Sequence, residues 1–364
     1  MKISVITIHR IYNYGSVLQT YATQKLLEEK GHQVEIIDYI SPQRTILRIF
    51  LNNPALGELH GLKNVLYRAF KIGSIVLKEL TFGLFRKKHL HLTKRYVTPS
   101  DLDQNPPVAD LYVTGSDQTW NSYYNEGVDR GYFLDFVPCE ARRISFVSSF
   151  GMDALPEKEQ AETIRYLERY EALSVREDAA QKLLTDLGFN NAVQLIDPTL
   201  QLSKDQWLAL ASARKYKKPY VLLLLLYSED NGATELAREI ADQHGWKVLK
   251  LSWEMKRPAK VDKLMTHRPP EDFLSLMQHA EFVVTNSFHG LAFSINLEKQ
   301  FLVVPRNEFN SRIESLLRLT GLENRLVSAS QGSSVANTLI DYAPVRTILD
   351  RERNRAQTFL DNHL

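Results

Sequence analysis

The residue pattern with the most chemical content is Thr285-Asn286-Ser287-Phe288-His289-Gly290. It falls where a predicted strand gives way to a predicted helix, a junction that exposes backbone N–H groups and favours a bound anion. A histidine there can exchange protons near neutral pH. Gly290 permits close approach of a ligand or of another backbone. The same spacing also suits a plain capping turn, with Ser287 as the cap and His289 merely exposed.

A second pattern, Gly115-Ser116-Asp117-Gln118-Thr119-Trp120-Asn121, follows the apolar run DLYVT. A turn of this composition at a strand's carboxyl end presents a carboxylate and a hydroxyl. Asp117 could accept a proton from a sugar hydroxyl, and Trp120 could stack on a pyranose face. The plainer reading is a helix N-cap by Ser116 or Asp117 beside a core tryptophan. Asn13-Tyr14-Gly15-Ser16 precedes the first helix. It offers a glycine turn for a ligand at a helix terminus, or simply a turn. It has neither the dinucleotide-binding nor the phosphate-loop glycine signature.

Ser174-Val175-Arg176-Glu177 marks another strand-to-helix junction. Arg176 there can clamp a carboxylate or phosphate with two parallel bonds. It can equally pair with a nearby acid such as Asp197. Arg306 and Arg312, after the last predicted strand, are further anion candidates. No His, Cys, Asp or Glu cluster has metal-ligand spacing, and His89-x-His91 lies in basic surroundings that oppose a cation.

These turns need strands and helices to hold them. Residues 2–9, 34–39, 110–114, 143–148, 172–175 and 193–196 read as strands with helices between several of them. A second alternating series starts at Pro219, with strands over 220–227, 247–251, 282–285 and 301–304. The reading is an α/β protein of two doubly wound Rossmann-like domains, a first over 1–205 and a second over 206–335. Residues 336–364 form a C-terminal helix that can pack back on the first domain. In such folds ligands bind outside the carboxyl ends of the strands, here in the cleft between the halves.

At 364 residues the chain is long for one core, and two domains are the expectation. A net charge of +2 gives no argument for nucleic acid. Cys139 is the only cysteine, so no internal disulfide can form. The amino terminus lacks the features of a secretory signal. No charge-free stretch reaches bilayer-spanning length. The expectation is a cytoplasmic protein.

Residues 44–95 interrupt the first series with a helical, amphipathic, basic segment carrying eleven Lys/Arg against Glu58 and Glu79. Such a segment can lie on the inner face of an anionic membrane. It can instead be a helical insertion packed on the first domain, or mediate a homodimer through apolar faces.

Together NYGSVLQ (13–19), GSDQTWN (115–121), SSFG (148–151), SVRE (174–177), DPT (197–199) and SFHG (287–290) resemble the polysaccharide pyruvyl transferase family, in family order. The resemblance runs from residue 1 to about 325. It implies a GT-B-like fold and transfer of the pyruvyl unit of phosphoenolpyruvate to a sugar, often a lipid-linked oligosaccharide, to form a ketal. It implies no metal and no organic cofactor. On this resemblance His289 is the general acid and Asp117 the base on the acceptor hydroxyl. Arg176 and Arg312 hold the donor, with Ser287, Gly290, Asn13 and Gly15 around it. Trp120, Asn121 and Ser116 hold the acceptor. One departure stands out: some members carry arginine where this chain has Ser287. The rival readings are a nucleotide-sugar glycosyltransferase on the same fold and a non-catalytic scaffold of a polymer-assembly complex. The donor that raises the melting temperature separates the two enzymes. A scaffold has no need of His289, Asp117 and Arg176 together.

Overall fold

A computed structural model describes residues 1–45, 61–226, 229–253, 257–307 and 310–364, and of residues 44 and 61–71 the backbone alone. The chain divides into two compact units. One comprises Met1–Arg176 with Ala180–Gln194, the other Glu177–Ala179 with Leu195–Leu364.

The first unit is built on strands β1 (Lys2–Ile6), β2 (Gln33–Tyr39), β3 (Leu92–Tyr96), β4 (Leu111–Thr114), β5 (Arg142–Ser148), β6 (Ala172–Val175) and β7 (Val193–Gln194). They form one seven-stranded sheet in the order β3-β2-β1-β4-β5-β6-β7, and every pairing is parallel. Helices cover the crossovers, so central strands are apolar on both faces, as Ile3, Val5 and Ile6 of β1 are. The strand order reverses between β1 and β4. That switch point is where this architecture leaves a crevice for ligands.

The second unit carries β8 (Tyr220–Leu224), β9 (Lys247–Leu251), β10 (Lys263–Met265), β11 (Phe282–Thr285) and β12 (Gln300–Val303), ordered β10-β9-β8-β11-β12 and again all parallel. Its switch point lies between β8 and β11. Val221, Leu223, Val248, Val284 and Leu302 pack there against Leu236, Ala237 and Ile240 of helix Ala233–His244.

Several expectations are corrected. The unit boundary falls after Gln194, not after residue 205. Strand β7 ends there, and the following Asp197-Pro198-Thr199 turn is held by the second unit. The Thr199 carbonyl accepts from Asn296 Nδ2 at 2.6 Å and from Trp207 Nε1 at 3.0 Å. The C-terminal helix Tyr342–His363 belongs to the second unit as well. Arg353 Nε donates to the Leu200 carbonyl at 2.9 Å, which ties that helix to the same turn.

Residues 44–95 are not helical throughout. Helix Gly61–His89 is followed by β3, an edge strand paired to β2. Residues 46–60 of that segment, and Tyr227 of the strand expected over 220–227, lie outside the described residues. The helix is fixed to the first unit by one face. Phe82 meets Tyr12 and Tyr14 at centroid distances of 5.9 and 5.3 Å, and Phe85 meets Tyr21 at 6.2 Å. Among the described residues no helix is long and apolar enough to cross a membrane.

Candidate active site

In the first unit the loops that leave β1 and β4 converge at the switch point. Asn13 caps helix Tyr14–Glu29, its side-chain oxygen accepting from the N–H groups of Gly15 at 2.8 Å and Ser16 at 3.4 Å. The Ser16 hydroxyl donates to Asp117 Oδ2 at 2.5 Å. Arg176, at the end of β6, places Nη2 3.9 Å from Asp117 Oδ1. The Gln118 N–H donates to the same oxygen at 2.9 Å.

Asp117 is 5% exposed and has a left-handed backbone, φ 74°. A non-glycine residue there is uncommon, and such strain collects at functional sites. The scaffold beneath is a polar web. Thr7 Oγ1 donates to the Ser116 carbonyl at 2.6 Å, and Gln19 Nε2 donates to Thr7 Oγ1 at 2.9 Å and to the Ser16 carbonyl at 3.0 Å.

The second unit gathers a different set at its own switch point. Ser287 caps helix Phe288–Asn296, its Oγ accepting from the Gly290 N–H at 3.3 Å. His289 is 7% exposed and sits in the first turn. Its Nε2 lies 3.8 Å from Asp197 Oδ2, an ion-pair distance rather than a hydrogen bond. Asp197 is held in turn by Thr199, whose N–H and hydroxyl donate to Oδ1 at 2.9 and 2.7 Å. The Arg312 guanidinium stands 6.0 Å from the Phe288 ring centroid. A histidine beside a buried carboxylate, as His289 is beside Asp197, is an arrangement suited to proton transfer.

The structure redistributes the residues read from sequence. It brings Asp117, Arg176 and the Asn13–Ser16 turn into one cluster, and His289, Ser287 and Gly290 into another, with Arg312 beside Phe288. Arg176 faces Asp117, and Asp197 faces His289.

Trp120 is not a sugar platform. It is 1% exposed, stacked on Phe133 at 5.3 Å and wedged against Phe150 and Tyr170. Asn121 and Ser116 are likewise buried. Asn121 accepts from the Tyr124 N–H and donates to Gln118 Oε1, and the Ser116 carbonyl receives Thr7. Gly290 is required for packing, since a Cβ there would meet Thr285 Oγ1 at 2.3 Å. Its N–H is taken by Ser287, and the Ser287 N–H by Thr285 Oγ1 at 3.0 Å, so neither is an anion donor. Arg306 is held by Glu229 at 3.1 Å. His289 is buried, not exposed as a simple capping turn would leave it.

Sequence reasoning missed Asp197 as the histidine's partner. It also missed a polar triad beyond the carboxyl end of β1. His9 Nε2 lies 3.0 Å from Asp38 Oδ1, and Arg10 grips the same carboxylate with two nitrogens. The signal was the polar Thr7-Ile8-His9-Arg10 run, which the strand reading over 2–9 absorbed.

Burial pushes the Asp38 carboxyl up, but hydrogen bonds from Arg10 and His9 outweigh it and hold it well below the usual range. A carboxyl depressed on folding contributes stability above its unfolded pKa of about 3.9 and loses it as pH falls toward the folded value. Between pH 7 and pH 3, urea unfolding of the wild type should therefore lose more stability than that of Asp38→Asn. Equal losses would detach this cluster from acid sensitivity. Among the described residues no group of three or more His, Cys, Asp or Glu could hold a metal ion.

A family model described as polysaccharide pyruvyl transferase matches residues 13–308. The fold resembles UDP-GlcNAc 2-epimerase from Methanocaldococcus jannaschii, with 15% identity, a TM-score of 0.50, and 99% of this chain and 100% of that chain covered. It also resembles the S. aureus MnaA–UDP co-structure, with 12% identity, a TM-score of 0.50, and 99% and 97% covered. At such identities the likeness shows the fold alone: two Rossmann-like domains of the GT-B kind. No curated protein matches the sequence.

Proposed function

Because the chain belongs to the polysaccharide pyruvyl transferase family, we propose that it transfers the pyruvyl unit of phosphoenolpyruvate to a sugar diol, giving a cyclic ketal and inorganic phosphate. The acceptor is a lipid-linked oligosaccharide of a cell-surface polysaccharide. The observation that carries this reading is the buried His289–Asp197 pair in the first turn after β11. Such a pair suits proton delivery to the methylene carbon of an enol phosphate.

The steps balance as follows. His289 gives a proton to the methylene carbon, which becomes a methyl group, and C2 gains oxocarbenium character. A sugar hydroxyl attacks C2, and Asp117 receives its proton. The C2–O bond to phosphate breaks and phosphate departs with the electron pair. A second hydroxyl closes the ring. Of the two hydroxyl protons, one replaces that given by His289 and one leaves on phosphate. Asp197 stabilises the imidazolium while His289 is charged.

Arg312 stands by the ring of Phe288, the neighbour of His289 in the chain, whereas Arg176 stands by Asp117. Arg312 is therefore assigned to the donor's anionic groups. Calorimetry should show phosphoenolpyruvate binding to Arg312→Ala about 10–100-fold weaker, the loss of one or two charge-assisted bonds. Arg176→Ala should be affected less. Unchanged affinity in both variants, together with a melting-temperature rise from a nucleoside-diphosphate sugar but not from phosphoenolpyruvate, would instead indicate the glycosyltransferase reading.

A further inference from the structure

Helix Gly61–His89 shows solvent a face that a soluble surface would not be expected to carry. Ile72, Val76, Leu77, Leu80 and Leu84 are each between 47% and 66% exposed. At about 100° per residue these five fall within one arc of about 140°. The opposite side is the anchoring side, with Phe82 and Phe85 buried. Monomers rarely expose contiguous apolar patches of this kind without a partner.

The charges around the face indicate which partner. Lys87 falls inside the same arc and Lys88 at its edge, and both are exposed, as are Lys94 and Arg95 just beyond the helix. Over residues 72–95 the one acid is Glu79. It is engaged by Arg86 at 2.6 Å and Arg10 at 3.6 Å. Arg86 is itself buried, so it does not take part in the exposed basic rim. A twofold contact with a second copy would bring the same lysines of both copies onto one self-complementary patch. An anionic surface would instead neutralise them while the leucines enter its apolar layer.

We propose that this face docks on an anionic lipid bilayer, lying in the interface rather than crossing it. Docking of this face does not depend on which donor the enzyme takes.

Co-sedimentation of the full chain with vesicles of phosphatidylcholine alone, or mixed with phosphatidylglycerol, tests it. Pelleting should rise with phosphatidylglycerol and fall with salt. K87E/K88E should lower partitioning about tenfold or more. L80Q/L84Q should abolish it. Thermal melts should show both variants folded, since exposed substitutions cost little. Wild-type protein that stays in the supernatant with every vesicle overturns the proposal, as does wild-type binding by both variants. So does light scattering that shows a dimer dissolved by L80Q/L84Q, because a second copy then covers the face.

Discussion

His289→Ala is expected to lower acceptor-dependent phosphate release by about 10²–10⁴-fold, the contribution typical of one acid–base group. His289 is buried, so the alanine variant also leaves a small cavity and loses some stability. His289→Gln keeps more of the volume and separates the two effects. It should melt close to the wild type and be nearly as inactive. Phosphoenolpyruvate affinity should change far less than turnover in both, since the proton matters in the transition state more than in the bound state. Turnover within a few-fold of wild type in the glutamine variant would take His289 out of the chemistry.

Asp117→Asn carries the second large effect, again about 10²–10⁴-fold in turnover if the carboxylate is the base on the acceptor hydroxyl. Asparagine tolerates the left-handed backbone that Asp117 adopts, so the loop should keep its path. The amide cannot counter the Arg176 guanidinium 3.9 Å away, however. Breaking a buried pair from one side costs stability, so the assay belongs well below the variant's melting temperature. The distinguishing readout is that phosphoenolpyruvate binding persists while acceptor-dependent turnover is lost. A variant that loses donor binding and keeps the catalytic rate at saturation would place Asp117 in the donor site instead.

The interiors of both sheets were legible because parallel strands covered on both faces read as apolar runs. KISVI, LYVT and FVVT are of this sort, and each forms a central strand. The two strands that were missed, β3 and β10, both lie at sheet edges. LTKRY carries the adjacent charges Lys94 and Arg95 because its edge meets water, and within a basic segment that looks like helix. KLM is three residues long and gives no period at all.

The candidate site divides in the same way. SFHG and GSDQ were readable because strand-to-helix turns have local chemistry. Asp197 as the partner of His289 was not, because only the packing of helix Phe288–Asn296 on the Pro198 turn brings the two together. Trp120 was misjudged because an aromatic residue after a polar turn has the same sequence whether it faces a sugar or the core.

The most direct measurement is phosphorus NMR of phosphoenolpyruvate incubated with the protein and lipid-linked saccharides that offer a diol. The account predicts that the phosphoenolpyruvate signal is replaced by inorganic phosphate only when the acceptor is present, that the saccharide gains a ketal methyl group in equal amount, and that His289→Gln abolishes both. Phosphate release that ignores the acceptor, or none with any saccharide while a nucleoside-diphosphate sugar is consumed, would contradict it.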